Sequence, residues 1–259
     1  MFAKLDALKQ RLAGLQSVVV AFSGGVDSLF LLAVAKDVLA DDNCLAVTAS
    51  SALFPREEVE YAMGFAASAK ARHLVIEAAQ LNDPSFCLNT QDRCYICKKL
   101  LFSKLKEIAS GYSLKHVIDG SHADDVMEAR PGKKAASELA IVSPLQEAGL
   151  TKQEIRLLLK DRGMSGWDRP SSPCLATRIP VNEKIVPERL HKIEGVERFL
   201  RRNFGIKGNL RFRDQGLRAC IEVDKAEIIK IRDRVSVEAA LETLKYGLVY
   251  VDIREYRGR

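Results

Sequence analysis

Three cysteines stand in short motifs whose neighbours could support sulfur or metal chemistry. Cys94 and Cys97 form a CxxC pair within RCYIC, and Cys174 follows a proline in SSPCLATR (171–178). A CxxC pair alone fits half of a zinc site, a redox pair or chance, and the other cysteines supply no second pair of zinc ligands. Three thiolates can instead hold a [4Fe–4S] cluster that leaves one iron open to another ligand. The ordinary alternative is that a lone cysteine such as Cys174 is a small buried residue.

A second motif, SGGVDS (23–28), lies between an apolar run and a stretch with helical spacing of hydrophobic residues. Gly24 and Gly25 allow a tight turn that exposes backbone N–H groups, and Ser23 and Ser28 add hydroxyl groups. The N-terminus of the following helix adds a positive dipole, so the motif predicts an anion site. It is neither a P-loop, because the lysine of that motif is missing, nor a GxGxxG loop.

SGGVDS matches the SGGxDS fingerprint of the PP-loop ATP pyrophosphatases, and the chain resembles that superfamily. The resemblance implies a doubly wound α/β domain that binds ATP, holds its pyrophosphate and forms acyl- or base-adenylates. The residues that it implies at the nucleotide are Ser23, Gly24, Gly25, Asp27 and Ser28, with Asp27 near Mg²⁺.

Two later segments extend the nucleotide interpretation. The residues at 48–51 close the second predicted strand, where adenosine contacts usually lie in such folds, and DGSHADD (119–125) resembles the superfamily's G-x-x-x-D-D element. Carboxylates there would help to hold Mg²⁺ near the phosphates, although the two adjacent aspartates could also cap a helix. The candidate residues are Thr48, Ser50, Gly120, Asp124 and Asp125.

The order of motifs over nearly the whole chain resembles the LarE family of ATP-dependent sulfur transferases. The motifs are SGGVDS, NTQDRCYICKK, DGSHADD, SPLQEAGLTKQEIR and PSSPCLATRIP, followed by a short basic tail. The resemblance implies a small mononucleotide substrate, pyridinium-3,5-biscarboxylic acid mononucleotide, used in nickel-pincer nucleotide cofactor biosynthesis. ATP would adenylate each carboxylate, and sulfur would then displace AMP to leave a thiocarboxylate.

The resemblance also bears on the source of the sulfur. Family members that have only the cysteine matching Cys174 give up its sulfur, whereas members that also carry the CxxC are similar to cluster-using sulfur transferases. Because this chain has Cys94, Cys97 and Cys174, we expect a [4Fe–4S] cluster on these three thiolates. Loss of the Cys174 sulfur and a persulfide relay are the alternatives, and the sequence does not identify a sulfide donor.

Several cations accompany these motifs. Lys98, Lys99 and Arg178 flank the cysteines, where they could lower thiol pKa values or bind carboxylate and phosphate groups. We expect Lys99 and Arg178 at the nucleotide, the alternative being that these are solvated surface cations.

In the tail, Arg211 and Arg213 alternate, so both guanidinium groups should face one side of a strand. With Glu197 or Glu222 they resemble the family's phosphate site for the mononucleotide, since arginine pairs with phosphate through two hydrogen bonds. A basic strand face turned to solvent or to another subunit is the alternative.

The elements that position these residues follow from the hydrophobic pattern. Short apolar runs alternating with helical segments predict an α/β fold with a parallel sheet, followed by a smaller α+β domain. We expect domains at 1–170 and 171–259, with the boundary within about 170–182. The predicted strands are 17–22, 44–48, 73–77, 116–119 and 248–253, and the predicted helices are 2–14, 27–39, 55–70, 98–109, 151–162, 187–203, 224–233 and 236–246.

The net charge of +6 comes entirely from the tail, since residues 1–169 carry 21 basic and 21 acidic side chains and residues 170–259 carry 19 and 13. This excess fits a phosphate-bearing ligand, a nucleic acid or an acidic partner. A tRNA-thiolating PP-loop enzyme is the main alternative, but few aromatic residues lie between the basic ones, so no nucleic acid is expected. A nucleotide-binding sensor would leave the thiols and the aspartate pair unexplained.

The chain shows neither a signal peptide nor an apolar run of the roughly 20 residues that span a bilayer. We therefore expect a cytoplasmic protein with no membrane partner. The LarE resemblance implies a homo-oligomer, either a dimer or a hexamer.

Overall fold

The computed structural model describes residues 1–127, 131–231, 237 and 250–257, which form two compact units. The first unit comprises Met1–Asn82 and Asp92–Arg169, and the second comprises Asp83–Gln91 and Pro170–Arg259.

The segment 83–91, which the sequence analysis included in the first domain, belongs to the second unit. Backbone hydrogen bonds hold it there, from Asn182 N to Asn89 O at 2.9 Å and from Ile185 N to Cys87 O at 2.9 Å. The buried Asn89 amide also donates to Pro180 O at 2.7 Å. These partners are about 90 residues away along the chain, so no local pattern reveals them.

The first unit contains a four-stranded parallel sheet in the order β3-β2-β1-β4, so the predicted α/β class is confirmed. Its strands are β1 (Val18–Ala21), β2 (Cys44–Ser50), β3 (Arg72–Glu77) and β4 (His116–Ile118). Its helices are α1 (Phe2–Leu15), α2 (Val26–Val38), α3 (Arg56–Ser68), α5 (Arg93–Gly111), α6 (Pro131–Glu138), α7 (Pro144–Glu147) and α8 (Lys152–Asp161), while α4 (Pro84–Cys87) belongs to the second unit.

Helices cover both faces of this sheet. Val18 and Val20 pack with apolar residues of α1, α2, α3 and α8, whereas the alternate residue Val19 packs with α5. Side chains alternate across a strand, so β1 is buried on both sides. The central position of β1 fixes where the SGGVDS loop leaves the sheet.

The second unit contains a three-stranded mixed sheet in the order β5-β6-β7. Strands β5 (Leu210–Gln215) and β6 (Arg218–Val223) form an antiparallel hairpin, and β7 (Tyr250–Glu255) pairs parallel to β6. Helix α9 (Pro187–Phe204) buries Leu190, Ile193, Val196 and Leu200, and it ends at Gly205 in the left-handed conformation.

Some predicted elements differ from the structure. Helix α5 begins at Arg93 instead of 98, and its N-cap residue Asp92 makes no capping hydrogen bond that would have marked the start. In place of the helix predicted at 224–233, the described residues form a 3₁₀ helix over Lys225–Ile231. Apart from residue 237, the helix predicted at 236–246 and the start of the last strand lie outside the described residues. No described helix is both long and apolar enough to span a membrane.

Candidate functional site

The SGGVDS loop forms a tight turn between β1 and α2. Gly24 has φ +74°, and a Cβ added there would lie 3.0 Å from Cβ of Ala62 and 3.2 Å from the carbonyl oxygen of Glu58. Both the left-handed backbone and the close approach of α3 therefore require glycine at this position.

Serine hydroxyls brace this turn from inside. Ser28 Oγ donates to Gly25 O at 2.9 Å and lies 3.2 Å from Ser23 Oγ, which accepts from Gly25 N at 3.3 Å. The turn leads directly into α2, whose N-terminus carries partial positive charge. Such a turn at a helix N-terminus favours an anionic group.

A cleft opens at this loop, lined by residues from β1, the loop, α5 and the segment after β4. Gly120 closes one wall, since a Cβ added there would lie 3.2 Å from Ser28 N and 3.3 Å from Asp27 Cβ. Any side chain at 120 would thus occupy space next to the helix N-terminus. The lining residues are Ala21, Ser23, Gly25, Asp27, Ser28, Lys98, Asp119, Gly120, Ser121 and Asp125.

The two carboxylate oxygens of Asp27 have different surroundings. Oδ2 accepts a hydrogen bond from Lys152 Nζ, whereas Oδ1 is buried and has no hydrogen-bond partner in the part of the chain that the structure describes. Lys152 is the first residue of α8, whose start is fixed by a capping box between Thr151 and Glu154. The sequence shows that capping box, but it does not show that the lysine reaches the loop.

The two adjacent aspartates have separate roles. Asp125 is 7% exposed and lines the cleft, while Asp124 Oδ2 accepts from Lys152 N at 2.8 Å and so caps α8, as the capping alternative supposed. Within the described residues, no three His, Cys, Asp or Glu side chains are grouped so that they could hold a metal ion. Asp27 and Asp125 still suit Mg²⁺, which binds through one or two carboxylates together with substrate phosphates.

Thr48 is buried and its side chain makes internal bonds. Its hydroxyl donates to Phe22 O at 2.7 Å and lies 2.8 Å from Nε2 of His73. Burial lowers the pKa of His73, so the neutral ring can donate from Nε2 to Thr48. The adenosine contact predicted for Thr48 and for Ser50, which is the last residue of β2, stays a prediction.

Helix α5 carries the CxxC pair and also supplies one residue of the cleft. Cys94 is exposed and Cys97 half-buried, and both lie in the first two turns of the helix. Lys98 lies one turn after Cys94 and lines the cleft, with Nζ 3.6 Å from Asp119 Oδ2. The first unit therefore contains both thiols of the CxxC pair and the anion cradle, which is the cleft at the SGGVDS loop.

Lys99, expected at the nucleotide, points elsewhere. Its Nζ donates to the Tyr95 hydroxyl at 2.9 Å and to Glu138 Oε2 at 3.2 Å, and Tyr95 donates to the same carboxylate at 2.7 Å. These bonds attach the start of α5 to α6. Lys99 is not among the residues that line the cleft.

In the second unit, Cys174 is half-buried and precedes a 3₁₀ helix over Leu175–Arg178. Its carbonyl oxygen accepts from Thr177 N at 3.1 Å and from Thr177 Oγ1 at 2.9 Å. The cysteines outside the two motifs behave as structural thiols, because burial raises the pKa of Cys44 to about 11 and also raises the pKa values of Cys87 and Cys220.

Arg178 is a buried residue and not a surface cation. Its Nε and Nη2 donate to the two carboxylate oxygens of Glu197 at 2.8 and 3.0 Å, and its side chain is only 1% exposed. Glu197 Oε1 also accepts from Phe212 N at 2.8 Å. The pair thus connects α9 and β5 to the turn that carries Cys174.

The guanidinium groups of Arg211 and Arg213 both donate hydrogen bonds to backbone carbonyl groups of the 171–178 segment. Arg211 is buried and donates to Ser171 O and to Leu210 O, and burial lowers its pKa, with the nearby Arg178 charge adding to the effect. Arg213 donates to Thr177 O at 2.7 Å and to Glu222 Oε2 at 2.8 and 3.0 Å.

Of the two acids considered for the phosphate site, Glu222 pairs with Arg213 and Glu197 pairs with Arg178. The phosphate-binding role of Arg211, Arg213, Glu197 and Glu222 stays a prediction. Cys94 and Cys97 belong to the first unit and Cys174 to the second.

A known protein family matches the part of the chain that contains the SGGVDS loop. The family model described as NAD synthase matches residues 3–90, a range that includes the SGGVDS loop, although it covers only a third of the chain.

Relatives match over almost the full length. The pyridinium-3,5-bisthiocarboxylic acid mononucleotide synthase of Lactiplantibacillus plantarum is 34% identical over 257 residues, covering 98% of this chain and 92% of that protein. An uncharacterized protein of Synechocystis sp. is 34% identical over 252 residues (97% and 93%), and one of Methanocaldococcus jannaschii is 31% identical over 243 residues (93% and 91%). The chain therefore belongs to the NAD synthase-like, ATP-dependent PP-loop family that includes LarE, the pyridinium-3,5-bisthiocarboxylic acid mononucleotide synthase.

Proposed function

We propose that this protein is an ATP-dependent sulfur transferase that converts the carboxylates of pyridinium-3,5-biscarboxylic acid mononucleotide to thiocarboxylates. The observation that carries the proposal is the position of Lys98, which lines the anion cleft one helical turn after Cys94. The helix that supplies Lys98 to the cleft also carries the CxxC pair, and an enzyme that only adenylates its substrate has no use for these thiols. The name of the Lactiplantibacillus plantarum relative supports the same chemistry.

The proposed reaction has two steps for each carboxylate. A carboxylate oxygen of the substrate attacks the α-phosphorus of ATP and pyrophosphate leaves, which forms an acyl-adenylate. A sulfur nucleophile then attacks the acyl carbon, and AMP leaves with the electron pair of the broken C–O bond. The backbone of Gly24 and Gly25, the hydroxyl groups of Ser23 and Ser28 and the charge of Lys98 would hold the pyrophosphate.

For the sulfur source we propose a [4Fe–4S] cluster held by Cys94, Cys97 and Cys174. The exposure of Cys94, and the i, i+3 spacing of Cys94 and Cys97 on one helix, suit two ligands of one cluster. When bound, such a cluster supplies an iron without a protein ligand, to which an exchangeable sulfide can attach. The protein would hold the cluster through these three thiolates and bring the acyl-adenylate within reach of the sulfur nucleophile.

For the substrate phosphate we propose Arg213 as the main contact. Its side chain is 29% exposed, whereas that of Arg178 is 1% exposed. Arg211 is buried against backbone carbonyl groups, so it would support the site without donating much to the phosphate. The expected homo-oligomer stays a prediction, which analytical ultracentrifugation would test.

Product analysis tests the proposed reaction. Incubation with ATP, Mg²⁺ and the mononucleotide should give AMP, pyrophosphate and a product in which sulfur replaces a carboxylate oxygen, as read by mass spectrometry. Formation of ADP and phosphate would contradict the PP-loop chemistry. Adenylation of tRNA in place of the mononucleotide would favour the tRNA-thiolating alternative.

Anaerobic iron and sulfide analysis with a UV–visible spectrum tests the sulfur route. The wild-type protein should bind about four irons, and alanine at Cys94, Cys97 or Cys174 should abolish this binding. Cys87→Ala is the matched control, because Cys87 is also half-buried but lies outside both motifs. Iron binding in all three variants would end the cluster proposal, and loss of one H₂S from the chain after turnover would show that Cys174 gives up its sulfur.

A further inference from the structure

Arginine side chains hold the turn that carries Cys174. Arg178 belongs to this turn, whereas Arg211 and Arg213 lie on β5. The hydrogen bonds concerned all lie within the second unit, and they converge on the backbone of residues 171–178. From their places in the sequence, these same arginines are predicted to bind ligands and not the chain itself.

Arg178 has almost no donor capacity left for a ligand. Besides its two bonds to Glu197, Nη1 donates to Pro173 O at 2.8 Å, to Thr177 Oγ1 at 3.0 Å and to Cys174 O at 3.3 Å. Four of its five N–H donors make these five hydrogen bonds, since three of the bonds share the two N–H groups of Nη1. One N–H of Nη2 remains, but the side chain is only 1% exposed, so a phosphate or a thiolate has little access to it.

Two further arginines complete the support. Arg211 donates to Ser171 O at the start of the segment, and Arg213 donates to Thr177 O near its end. Since Glu197 also accepts from Phe212 N, the strand that presents Arg211 and Arg213 is fixed by the same carboxylate. Hydrogen bonds therefore fix the backbone on both sides of Cys174, at Ser171 O and at Thr177 O.

We propose that Arg178 and Glu197 are positioning residues, which fix the backbone of 171–178 and thereby determine where the Cys174 sulfur stands. This inference rests on the proposed function only in taking Cys174 to participate in sulfur transfer. It assigns Arg178 and Glu197 neither to the nucleotide nor to the substrate phosphate. Lysine cannot replace Arg178, because it lacks the planar fork that spans the carboxylate and the turn.

The test compares Arg178→Lys and Glu197→Gln with a matched control, Arg189→Lys. Arg189 makes a similar paired contact in the same unit, with Asp214 at 2.7 and 3.0 Å, but its hydrogen bonds go to Asp214 and Glu183, which lie outside 171–178. The three full-length variants are compared by hydrogen exchange of the 171–179 amides, by substrate-dependent ATP–pyrophosphate exchange and by thiocarboxylate formation.

Loosening the turn should affect sulfur transfer and not adenylation. In Arg178→Lys, thiocarboxylate formation should fall about 100-fold, the scale expected from displacing a reacting group by about 1 Å. The Thr177 and Ile179 amides should exchange about tenfold faster or more, as expected when a hydrogen bond to a charged group is lost. Pyrophosphate exchange should stay within about twofold, and Arg189→Lys should leave the 171–179 exchange unchanged.

Two results would overturn the inference. One is normal amide exchange at 171–179 in Arg178→Lys and Glu197→Gln together with sulfur transfer within about threefold of wild type. The other is an equal loss of pyrophosphate exchange and sulfur transfer, which would place Arg178 at the nucleotide. If Arg178→Lys does not fold, Glu197→Gln decides, since it keeps the side-chain shape. If the wild type transfers no sulfur, the proposed function fails, and the amide exchange still decides the positioning role.

Discussion

The SGGVDS loop and the Cys174 turn are both short polar segments, yet they are held in different ways. The loop is shaped by glycine and by hydroxyl groups within six residues of one another, and α2 begins inside it. The turn is held from a distance, by Glu197 on α9 and by Arg211 and Arg213 on β5. Local backbone geometry forms the first site, whereas a buried Arg178–Glu197 ion pair and arginine hydrogen bonds to backbone carbonyl groups hold the second.

This difference predicts two kinds of failure. A change in the loop should act on the nucleotide directly, because backbone N–H groups and close packing form that site. A change in the supports of the turn should act through the position of Cys174 and leave the nucleotide site intact.

Gly24→Ala should reduce ATP-dependent pyrophosphate release about 100-fold or more, since a side chain there meets α3 and distorts the anion cradle. The left-handed backbone at this residue should also cost about 1–2 kcal/mol of unfolding free energy. Steady-state pyrophosphate release and thermal unfolding measure the two effects.

Gly64→Ala is the control for that substitution. Gly64 lies on α3, the helix that packs against Gly24. A Cβ added at Gly64 would meet no neighbouring side chain or element of the described residues within 4 Å. This variant should keep its activity and gain slight stability. Equal activity in both glycine variants would contradict the assignment of the loop to the pyrophosphate.

Arg213→Ala should raise KM for the mononucleotide about tenfold to 100-fold, as expected for loss of a charge-assisted bond, with a far smaller change in KM for ATP. Arg218→Ala, an exposed arginine on the neighbouring strand β6, is the control. An unchanged KM for the mononucleotide would remove the phosphate from this strand.

Lys152→Met should weaken binding of Mg²⁺–ATP about tenfold, because the SGGVDS loop has no lysine of its own and Lys152 reaches Asp27. The same substitution frees the Asp27 carboxylate and should strengthen binding of Mn²⁺ alone. Calorimetry with each ligand gives both numbers. Lys160→Met, on the same helix and over the Trp167 ring, is the control, and equal ATP affinity in the two variants would exclude Lys152 from the nucleotide site.

Glu154→Gln should show the smallest effect, a loss of stability whose size depends on pH. The Lys4 ammonium and the Thr151 backbone lower the pKa of Glu154 from 4.5 to about 2. A lowered pKa adds stability above the ordinary value of 4.5, and this contribution is lost as the pH falls towards 2. The difference in Tm between wild type and Glu154→Gln should therefore shrink over that range, whereas the exposed Glu57→Gln should show no such trend.

What the sequence could predict follows the same division. SGGVDS, the strands around it and the capping box at Thr151 are local patterns, so the α/β class and the anion cradle could be inferred. Lys152 and Asp27 are 125 residues apart, and no periodicity shows that they meet. The sequence predicts Arg178 at the nucleotide, with a solvated surface cation as the alternative, and it shows neither the burial of Arg178 nor its pairing with Glu197, which a neighbouring element brings into contact.

The most direct test of this account is single-turnover analysis of Cys174→Ala with ATP and the mononucleotide. If the two regions act separately, the variant should release pyrophosphate at close to the wild-type rate, retain the acyl-adenylate and form no thiocarboxylate. A variant that still forms thiocarboxylate would contradict the role of Cys174, and one that releases no pyrophosphate would contradict the separation of the two sites.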